Sequence, residues 1–262
     1  MKVISYSLFG TNQRYITPLI INTKTVKEYY PNWIIRIYHD DTVSTETLNI
    51  LTSLNADLVN INESYLKKYN LAPKFWRFLP ILENNIDVII FRDSDSVFSN
   101  REQELVKKWL NSEFDFHIIR DHQLHISPIM AGMFGVKKGG FQLFKDKLLN
   151  NPILTSKHSY NSDQLFLGDE VFPMIQNNVL LNTSYFAFSS ENFVRISKSK
   201  TSNHFIGAIY SELNTETDTV IYDYEFLIGI PYWLARLLRY KIRPVLFLSI
   251  FYNYFLNKFI KK

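Results

Sequence analysis

The chain has no cysteine, which excludes disulfide bonds and thiolate metal sites and agrees with a reducing compartment. It also has no apolar run of the roughly 20 residues that cross a bilayer. Near the N-terminus, Lys2 precedes a short strand-like run rather than the apolar region of a secretory signal. Together these absences predict a cytoplasmic protein.

Glycine is scarce, with eight residues in 262, and no Gly-x-Gly-x-x-Gly pattern follows the first strand-like segment at 2–9. Binding of a dinucleotide is therefore disfavoured. Apolar residues make up 46% of the chain and charged residues 21%, as is typical of a soluble protein with a sizeable core. The length suits one large α/β domain or two small ones.

The hydrophobic pattern alternates between strand-like and helix-like segments. Strands are predicted at 2–9, 33–39 and 57–61, and helices at 15–29 and 45–54. Such alternation indicates a parallel sheet with right-handed crossovers.

Two helix boundaries are also predicted. Asp40 and Asp41 are expected to cap the helix at 45–54. A further helix is expected at 71–82, where Pro80 should kink or shorten it.

The segment at 86–99 combines a buried-type strand with acidic residues. Its apolar, β-branched run is followed by Asp93 and Asp95. Two carboxylates one residue apart repel each other unless a cation lies between them, and Mg2+ and Mn2+ prefer carboxylate oxygens. Ligands of open α/β sheets bind at the carboxyl ends of the strands, so a metal-diphosphate site is predicted here. Ser99 and Glu102 then form a capping box that opens the next helix.

Two other interpretations of this segment stay open. Residues 93–97 also match the first motif of haloacid-dehalogenase-type phosphatases, with Asp93 as the nucleophile, although that motif belongs on a first strand. The later acidic pair that such an enzyme needs, Asp169 and Glu170, follows no buried-type strand. The second alternative is a catalytically silent membrane-surface or glycan-binding module.

The ordered motifs resemble those of nucleotide-sugar-dependent glycosyltransferases of the GT-A fold, especially glycogenin-like and lipopolysaccharide galactosyltransferase-like enzymes. The matching segments lie within 3–210: the first strand, Arg77, Arg92-Asp93-Ser94-Asp95, the strand at Gly132, Asp163-Gln164 and His204-Phe205-Ile206-Gly207. The resemblance implies a Rossmann-like α/β fold with a mixed, mainly parallel sheet flanked by helices.

The resemblance also implies roles in donor binding. Asp95 would bind Mn2+ or Mg2+ directly, Asp93 would bind the metal or the nucleotide ribose, and His204 would be a third metal ligand. Further contacts to the nucleotide sugar would come from Tyr6, Ser7, Leu8, Arg77, Arg92, Gly132 and Gly207.

The catalytic residues implied by the resemblance are Asp163 and Gln164 at the reacting face, with Asp121 as a second candidate for the base. Retention and inversion are both compatible with these residues. One departure from the family is the Lys-Pro-Trp that follows His-x-x-Gly, which is Ala-Ile-Tyr at 208–210. The lysine that touches the diphosphate is therefore absent, and Arg120 or Lys137 is expected to replace it.

Charge is unevenly distributed along the chain. All 25 acidic residues precede residue 226, whereas seven of the 29 Lys and Arg residues lie in the last 37. The segment at 231–262 mixes these cations with large apolar and aromatic residues, which suits an interfacial helix on an anionic membrane. The alternative is a final pair of helices packed on the core. Nucleic acid is disfavoured because the cations are few and interleaved with aliphatic residues.

These observations predict a glycosyltransferase domain at 1–225 and a basic amphipathic tail at 226–262. The predicted enzyme is metal-dependent and moves a sugar from a nucleotide-diphosphate sugar to a glycan or lipid-linked acceptor of the surface-polysaccharide or lipopolysaccharide type. Its expected location is the inner face of a membrane, as a peripheral protein.

Overall fold

The computed structural model describes residues 1–122, 124–150, 162–199, 204–212 and 226–229. Within these ranges no helix is both long enough and apolar enough to cross a membrane. Of the predicted tail at 226–262, only residues 226–229 are described, and its basic, aromatic segment at 231–262 lies outside the described residues.

The described strands form a main sheet of eight strands, ordered β3-β2-β1-β4-β6-β5-β7-β9, and a pair formed by β8 and β10. The strands are β1 (Lys2–Leu8), β2 (Trp33–His39), β3 (Asp57–Asn60), β4 (Val88–Arg92), β5 (Phe116–Arg120), β6 (Met133–Lys137), β7 (Val179–Thr183), β8 (Phe186–Phe188), β9 (Val194–Arg195) and β10 (Leu227–Gly229). Every pairing in the main sheet is parallel except those of β6, which runs antiparallel to both β4 and β5.

Helices connect the strands and flank the sheet. The α-helices are α1 (Gln13–Tyr29), α2 (Thr45–Ser53), α3 (Asn100–Leu110), α4 (Phe141–Leu149), α5 (Ser162–Phe166) and α6 (Phe172–Ile175). A turn of π-helix, Leu167–Val171, joins α5 to α6. The predicted fold class, a mixed and mainly parallel sheet flanked by helices, is confirmed.

The strand β4 lies in the middle of the sheet, between β1 and β6, and all five of its residues are buried. On one face Phe91 packs edge-on against Phe78, with ring centroids 4.9 Å apart, and stacks on Phe144 at 5.7 Å. On the other face Val88 and Ile90 belong to a cluster with the buried Trp109 of α3. Burial on both faces explains the continuous apolar run.

The start of α2 differs from the prediction. Ser44 caps this helix, its hydroxyl accepting a hydrogen bond from the Thr47 amide at 3.3 Å. The cap expected from Asp40 and Asp41 is wrong, because these residues lie too far before the first turn. Asp41 instead accepts a hydrogen bond from the Asn60 amide group at 2.8 Å.

The segment before β4 also differs from an ordinary helix. Pro73–Leu82 is a 3-10 helix that continues through Pro80. In an α-helix Pro80 would clash with the carbonyl four residues earlier, which agrees with the absence of an α-helix here. The buried face of the 3-10 helix carries Phe75, Phe78 and Leu79 onto the core.

Candidate active site

Two carboxylates follow the end of β4, where the parallel strand β1 also ends and β6 begins. Asp93 forms an ion pair with Arg77, and its side chain is 52% exposed. Asp95 accepts two hydrogen bonds from Arg14, from Nη2 at 3.1 Å and from Nε at 3.3 Å. The acidic pair therefore lies at the predicted edge of the sheet, with an arginine against each carboxylate.

The two carboxylates influence each other electrostatically. Burial raises the pKa of Asp95, and the negative charge of Asp93 raises it further, while Arg14 opposes both effects. This is the repulsion expected of two acids one residue apart. A cation bound between them would relieve it.

Arg77 is the buried centre of the site. Its guanidinium bridges two carboxylates, donating from Nη1 to Asp93 and from Nη2 to Asp163 Oδ2 at 2.6 Å. Its backbone is held by β1: Ser5 Oγ donates to the Arg77 carbonyl at 2.6 Å, and the Arg77 amide donates to Ser7 Oγ at 2.9 Å. Arg77 thus joins its own 3-10 helix to β1, to the loop after β4 and to α5. Ser5 is a supporting residue that the sequence motifs did not indicate.

Asp163 and Gln164 lie in α5, beside Arg77. Asp163 Oδ1 accepts a hydrogen bond from the Gln164 amide at 3.0 Å, while its other oxygen faces Arg77. Gln164 Oε1 accepts from Ser127 Oγ at 3.0 Å. The two acids Asp93 and Asp163, separated by 70 residues in the chain, therefore share one arginine.

Gly132 lies against Asp93 at the start of β6. A Cβ atom on this residue would stand 2.0 Å from Asp93 Oδ2 and 2.9 Å from the Asp93 amide nitrogen. Only glycine leaves room for the carboxylate in this position. Gly132 therefore packs against the loop at 93–96 that follows β4, called the acidic loop below. Its predicted contact with the donor sugar stays a prediction.

Arg92 points into the interior of the protein, where Nη2 also donates to Ser96 Oγ of the acidic loop at 3.4 Å. Its side chain is 2% exposed and pairs at 3.0 Å with Glu102, which is equally buried. It also donates to the Gly132 carbonyl at 3.0 Å. This placement favours support of the loop over direct contact with phosphate. Glu102 was predicted in a capping box, but its carboxylate turns to Arg92, and only the Ser99 half of that box forms.

The first-strand residues divide between the two faces of β1. Tyr6 and Leu8 are buried in the core, and the Tyr6 hydroxyl accepts from Asn22 at 3.1 Å. Burial raises the pKa of Tyr6. Ser7, on the opposite face, supports Arg77. The predicted contact of Tyr6 and Leu8 with the nucleoside stays a prediction.

Asp121 is fully buried and fully engaged. Arg101 binds it through both carboxylate oxygens, at 2.8 Å and 2.7 Å. Ser184 Oγ donates to it at 2.9 Å and the Ile206 amide at 3.1 Å. These contacts make Asp121 an anchor for the segment at 204–212, and its predicted role as a base stays a prediction.

The segment at 204–212 runs beside the acidic loop. The Tyr210 amide donates to the Asp95 carbonyl at 2.8 Å, and Ile209 forms a β-bridge with Ser96. Gly207 has φ +85°, and a Cβ there would stand 2.7 Å from the sulfur of Met133. His204 is exposed at the start of this segment. Its role as a metal ligand stays a prediction, as does the donor contact of Gly207.

Neither predicted replacement for the missing lysine faces the acidic loop. Arg120 is buried, where it pairs with Glu191 and donates to the Pro128 carbonyl at 2.7 Å. Lys137 lies opposite Val88, at the far end of β4.

The donor set at the acidic loop fits a hard divalent cation. Asp93 and Asp95 offer carboxylate oxygens and repel each other electrostatically. Among the described residues no group of three or more His, Asp or Glu side chains is arranged to hold a metal ion. A cation that binds one or two carboxylates, with phosphate and water oxygens as its other ligands, needs no such group.

No protein-family model matches the chain, and no curated protein matches its sequence. Several solved structures resemble its coordinates. One is a glycosyltransferase involved in the glycosylation of the major capsid of PBCV-1, with 11% identity, 71% of this chain and 84% of that chain covered, and a TM-score of 0.44. Another is the galactosyltransferase LgtC in complex with donor and acceptor sugar analogs, with 13% identity, 72% and 76% covered, and a TM-score of 0.42.

A third similar structure is glucosyl-3-phosphoglycerate synthase from Mycobacterium tuberculosis, in complex with Mn2+, uridine-diphosphate and phosphoglyceric acid. It is 12% identical to this chain, with 69% of this chain and 66% of that chain covered and a TM-score of 0.43. These likenesses concern the fold alone.

Proposed function

We propose that the protein is a GT-A-type glycosyltransferase that uses a nucleotide-diphosphate sugar as its donor. The observation that carries this proposal is the arrangement around Arg77, where Asp93 and Asp163 share one buried guanidinium beside Asp95. Transfer of a sugar from a diphosphate is helped by negative ligands for a cation and by a carboxylate near the reacting sugar. In this proposal Asp93 and Asp95 would supply the first and Asp163 the second.

In this proposal Asp93 and Asp95 would hold Mn2+ or Mg2+. In the part of the chain that the structure describes, His204 is not grouped with them, and its role as a further ligand stays a prediction. The cation, when bound, neutralises the charge that develops on the departing diphosphate. The protein's own contribution is to fix the acidic loop. Gly132 packs against Asp93, and the Tyr210 amide holds the Asp95 carbonyl.

Asp163 is the proposed catalytic carboxylate. Arg77 holds it from one side at 2.6 Å, and the side chain is 12% exposed. In this proposal the carboxylate accepts a proton from an acceptor hydroxyl or supports positive charge on the sugar. Gln164, held by Ser127, would contact sugar hydroxyls next to it.

The proposed acceptor is a glycan or a lipid-linked sugar. The sequence feature that supports it is the basic and aromatic segment at 231–262, which would bring the enzyme to an anionic membrane surface from the cytoplasmic side.

A donor screen tests the proposed activity. Purified protein is incubated with Mn2+ and each common nucleotide sugar, and release of the nucleoside diphosphate is measured with and without EDTA. We expect release from at least one donor, loss of it with EDTA, and a loss of at least about a hundredfold in Asp95→Asn. Asp146→Asn, on the exposed side of α4, is the matched control. Absence of release from every donor, or a phosphoaspartate trapped at Asp93, would contradict the proposal.

A further inference from the structure

Arg14 contacts Asp95 of the acidic loop, and the sequence motifs did not indicate this residue. It lies in the first turn of α1, directly after the loop that leaves β1. Its Nη2 and Nε both donate to the same oxygen of Asp95, at 3.1 Å and 3.3 Å. Its amide donates to the capping side chain of Asn12 at 3.0 Å. The backbone of Arg14 is therefore fixed while its long side chain reaches across to the acidic loop.

Arg77, which pairs with Asp93, and Arg14, which pairs with Asp95, differ in burial and in their other partners. Arg77 is 7% exposed and donates to Asp163, to the Lys74 carbonyl at 3.1 Å and to Asp93. Moving it would leave two carboxylates without their partner. The Arg14 side chain is 42% exposed. An exposed arginine exchanges partners at low cost, because solvent offsets much of the energy of such an ion pair.

The charge at Asp95 explains why an exchange is expected. A divalent cation on Asp95 would bring a second positive group against the carboxylate that Arg14 occupies, and the two repel each other. Neighbouring ligands on one octahedral cation lie roughly 3 Å apart, so diphosphate oxygens on that cation would come within reach of the same guanidinium. Arginine binds such oxygens through two parallel hydrogen bonds.

We infer that Arg14 is an exchangeable cation of the donor site: it neutralises Asp95 when the site is empty and pairs with the donor's diphosphate when a divalent cation takes its place. This inference rests on the proposed function. In this role Arg14 supplies a positive charge in place of the lysine that is absent at 208–210. Arg120 is buried and Lys137 lies at the far end of β4, so neither brings this charge to the acidic loop.

Calorimetric titration tests the exchange without any measurement of activity. Wild-type protein and Arg14→Ala are titrated with Mn2+ alone, and then, at saturating Mn2+, with ADP, CDP, GDP and UDP. We expect Arg14→Ala to bind Mn2+ alone about threefold tighter, since a competing charge is gone. We expect it to bind the nucleoside diphosphate at least about tenfold more weakly, since a charged hydrogen bond is lost.

Two further variants separate this effect from a general loss of charge or fold. Lys27→Ala removes an exposed cation from the last turn of the same helix and should shift neither affinity. Arg14→Lys keeps the charge without the planar fork and should recover part of the diphosphate affinity. Thermal melting of each variant checks that it is folded.

The inference is supported if Arg14→Ala binds Mn2+ alone more tightly than the wild type and binds the nucleoside diphosphate more weakly. Equal affinities in wild type and Arg14→Ala, or shifts of both affinities in the same direction, would overturn it and leave the proposed function intact. A wild-type protein that binds neither Mn2+ nor any of the four nucleoside diphosphates would overturn the proposed function, and this inference with it.

Discussion

Arg77 carries the largest share of the site's organisation at the scale of single residues. Its side chain is buried and joins Asp93 to Asp163, while Ser5 and Ser7 fix its backbone to β1. Breaking a buried ion pair by removing one partner leaves the other charge uncompensated. Arg77 therefore contributes both to the shape of the site and to the stability of the domain.

Replacement of Arg77 by alanine should be costly. We expect the free energy of unfolding to fall by about 3 kcal/mol, because Asp163 keeps little access to solvent once its partner is gone. Urea denaturation measures this change. Lys74→Ala removes a cation from the same 3-10 helix and should cost less than about 1 kcal/mol. Equal losses in the two variants would show that Arg77 has no special structural role.

A second residue-scale prediction concerns the pH dependence of stability. Burial lowers the pKa of His117 to about 4, below the 6.5 of an exposed imidazole. Between pH 6.5 and 4 the imidazole is therefore protonated in the unfolded chain but neutral in the folded protein. The stability that His117 contributes is fully present above pH 6.5 and is lost as the pH falls towards 4. The loss from His117 at pH 5 is roughly 2 kcal/mol. His125, whose pKa burial lowers to about 3, acts in the same direction.

The variant His117→Gln isolates this contribution. Unfolding by urea is measured at pH 8 and at pH 5, and each protein is compared with itself so that lost packing cancels. We expect the difference between the two pH values to shrink by roughly 2 kcal/mol in the variant. An unchanged difference would mean that the imidazole titrates alike in the folded and unfolded chains.

The sequence predicted the acidic residues of the site but not all of their partners. Asp93 and Asp95 were predictable because they directly follow a buried-type strand. The partnership of Arg92 with Glu102 was not, because the apolar pattern does not show which way an arginine at a strand end will turn. Arg14 and Ser5 were not predicted, because Arg14 reaches Asp95 and Ser5 reaches Arg77 from segments more than 70 residues away in the chain.

At the scale of elements, the junction of β4 and β6 fixes the acidic loop. The antiparallel strand β6 begins where β4 ends, so that Met133 lies opposite Arg92. Gly132 packs against Asp93. Gly135, farther along the strand, packs against Trp109, and a Cβ atom on Gly135 would lie 2.9 Å from carbons of the Trp109 ring. The two glycines of this run therefore serve different purposes.

Alanine at these two glycines should separate function from stability. Gly132→Ala pushes the Asp93 carboxylate aside, so we expect at least about a tenfold loss of nucleoside diphosphate affinity in the presence of Mn2+. Gly135→Ala crowds the core instead and should lower the unfolding free energy by about 1–3 kcal/mol. Calorimetry and urea denaturation measure the two effects. A Gly135→Ala variant that loses as much affinity as Gly132→Ala would contradict this division.

Element types followed the sequence pattern more closely than element boundaries. The predicted strand at 33–39 coincides with β2, and the alternation of apolar residues suffices to explain this. The boundary of α2 depended instead on which polar residue caps it, and Ser44 competed with Asp40 and Asp41 for that position. The reversal of β6 was likewise invisible in the pattern, because a buried strand reads the same in either direction.

At the scale of the whole molecule, the topology brings distant segments to one edge of the sheet. The parallel neighbours β1 and β4 end together, and the segment at 204–212 returns to this edge through Asp121 and Tyr210. The ordered motifs could predict this convergence only through their resemblance to a family, since no local pattern encodes it. The membrane contact of residues 231–262 stays a prediction of composition alone.

Vesicle binding tests the predicted role of the tail in the full-length chain. We expect the protein to sediment with vesicles rich in phosphatidylserine and not with vesicles of phosphatidylcholine alone, because the cations of the tail attract anionic lipid. A variant with four substitutions should bind these vesicles at least about tenfold more weakly at low salt. The substitutions replace Arg236, Arg239, Lys241 and Arg243 by glutamine. Equal sedimentation of the variant and the wild type would contradict the prediction.

The most direct test of the account locates the cation itself. Crystals grown with Mn2+ and a nucleoside diphosphate that binds in solution are measured at the manganese absorption edge. We predict one strong anomalous peak about 2.2 Å from a carboxylate oxygen of Asp95, within reach of Asp93. A peak bound elsewhere on the protein, or diphosphate seated without any cation beside these two acids, would contradict the central claim.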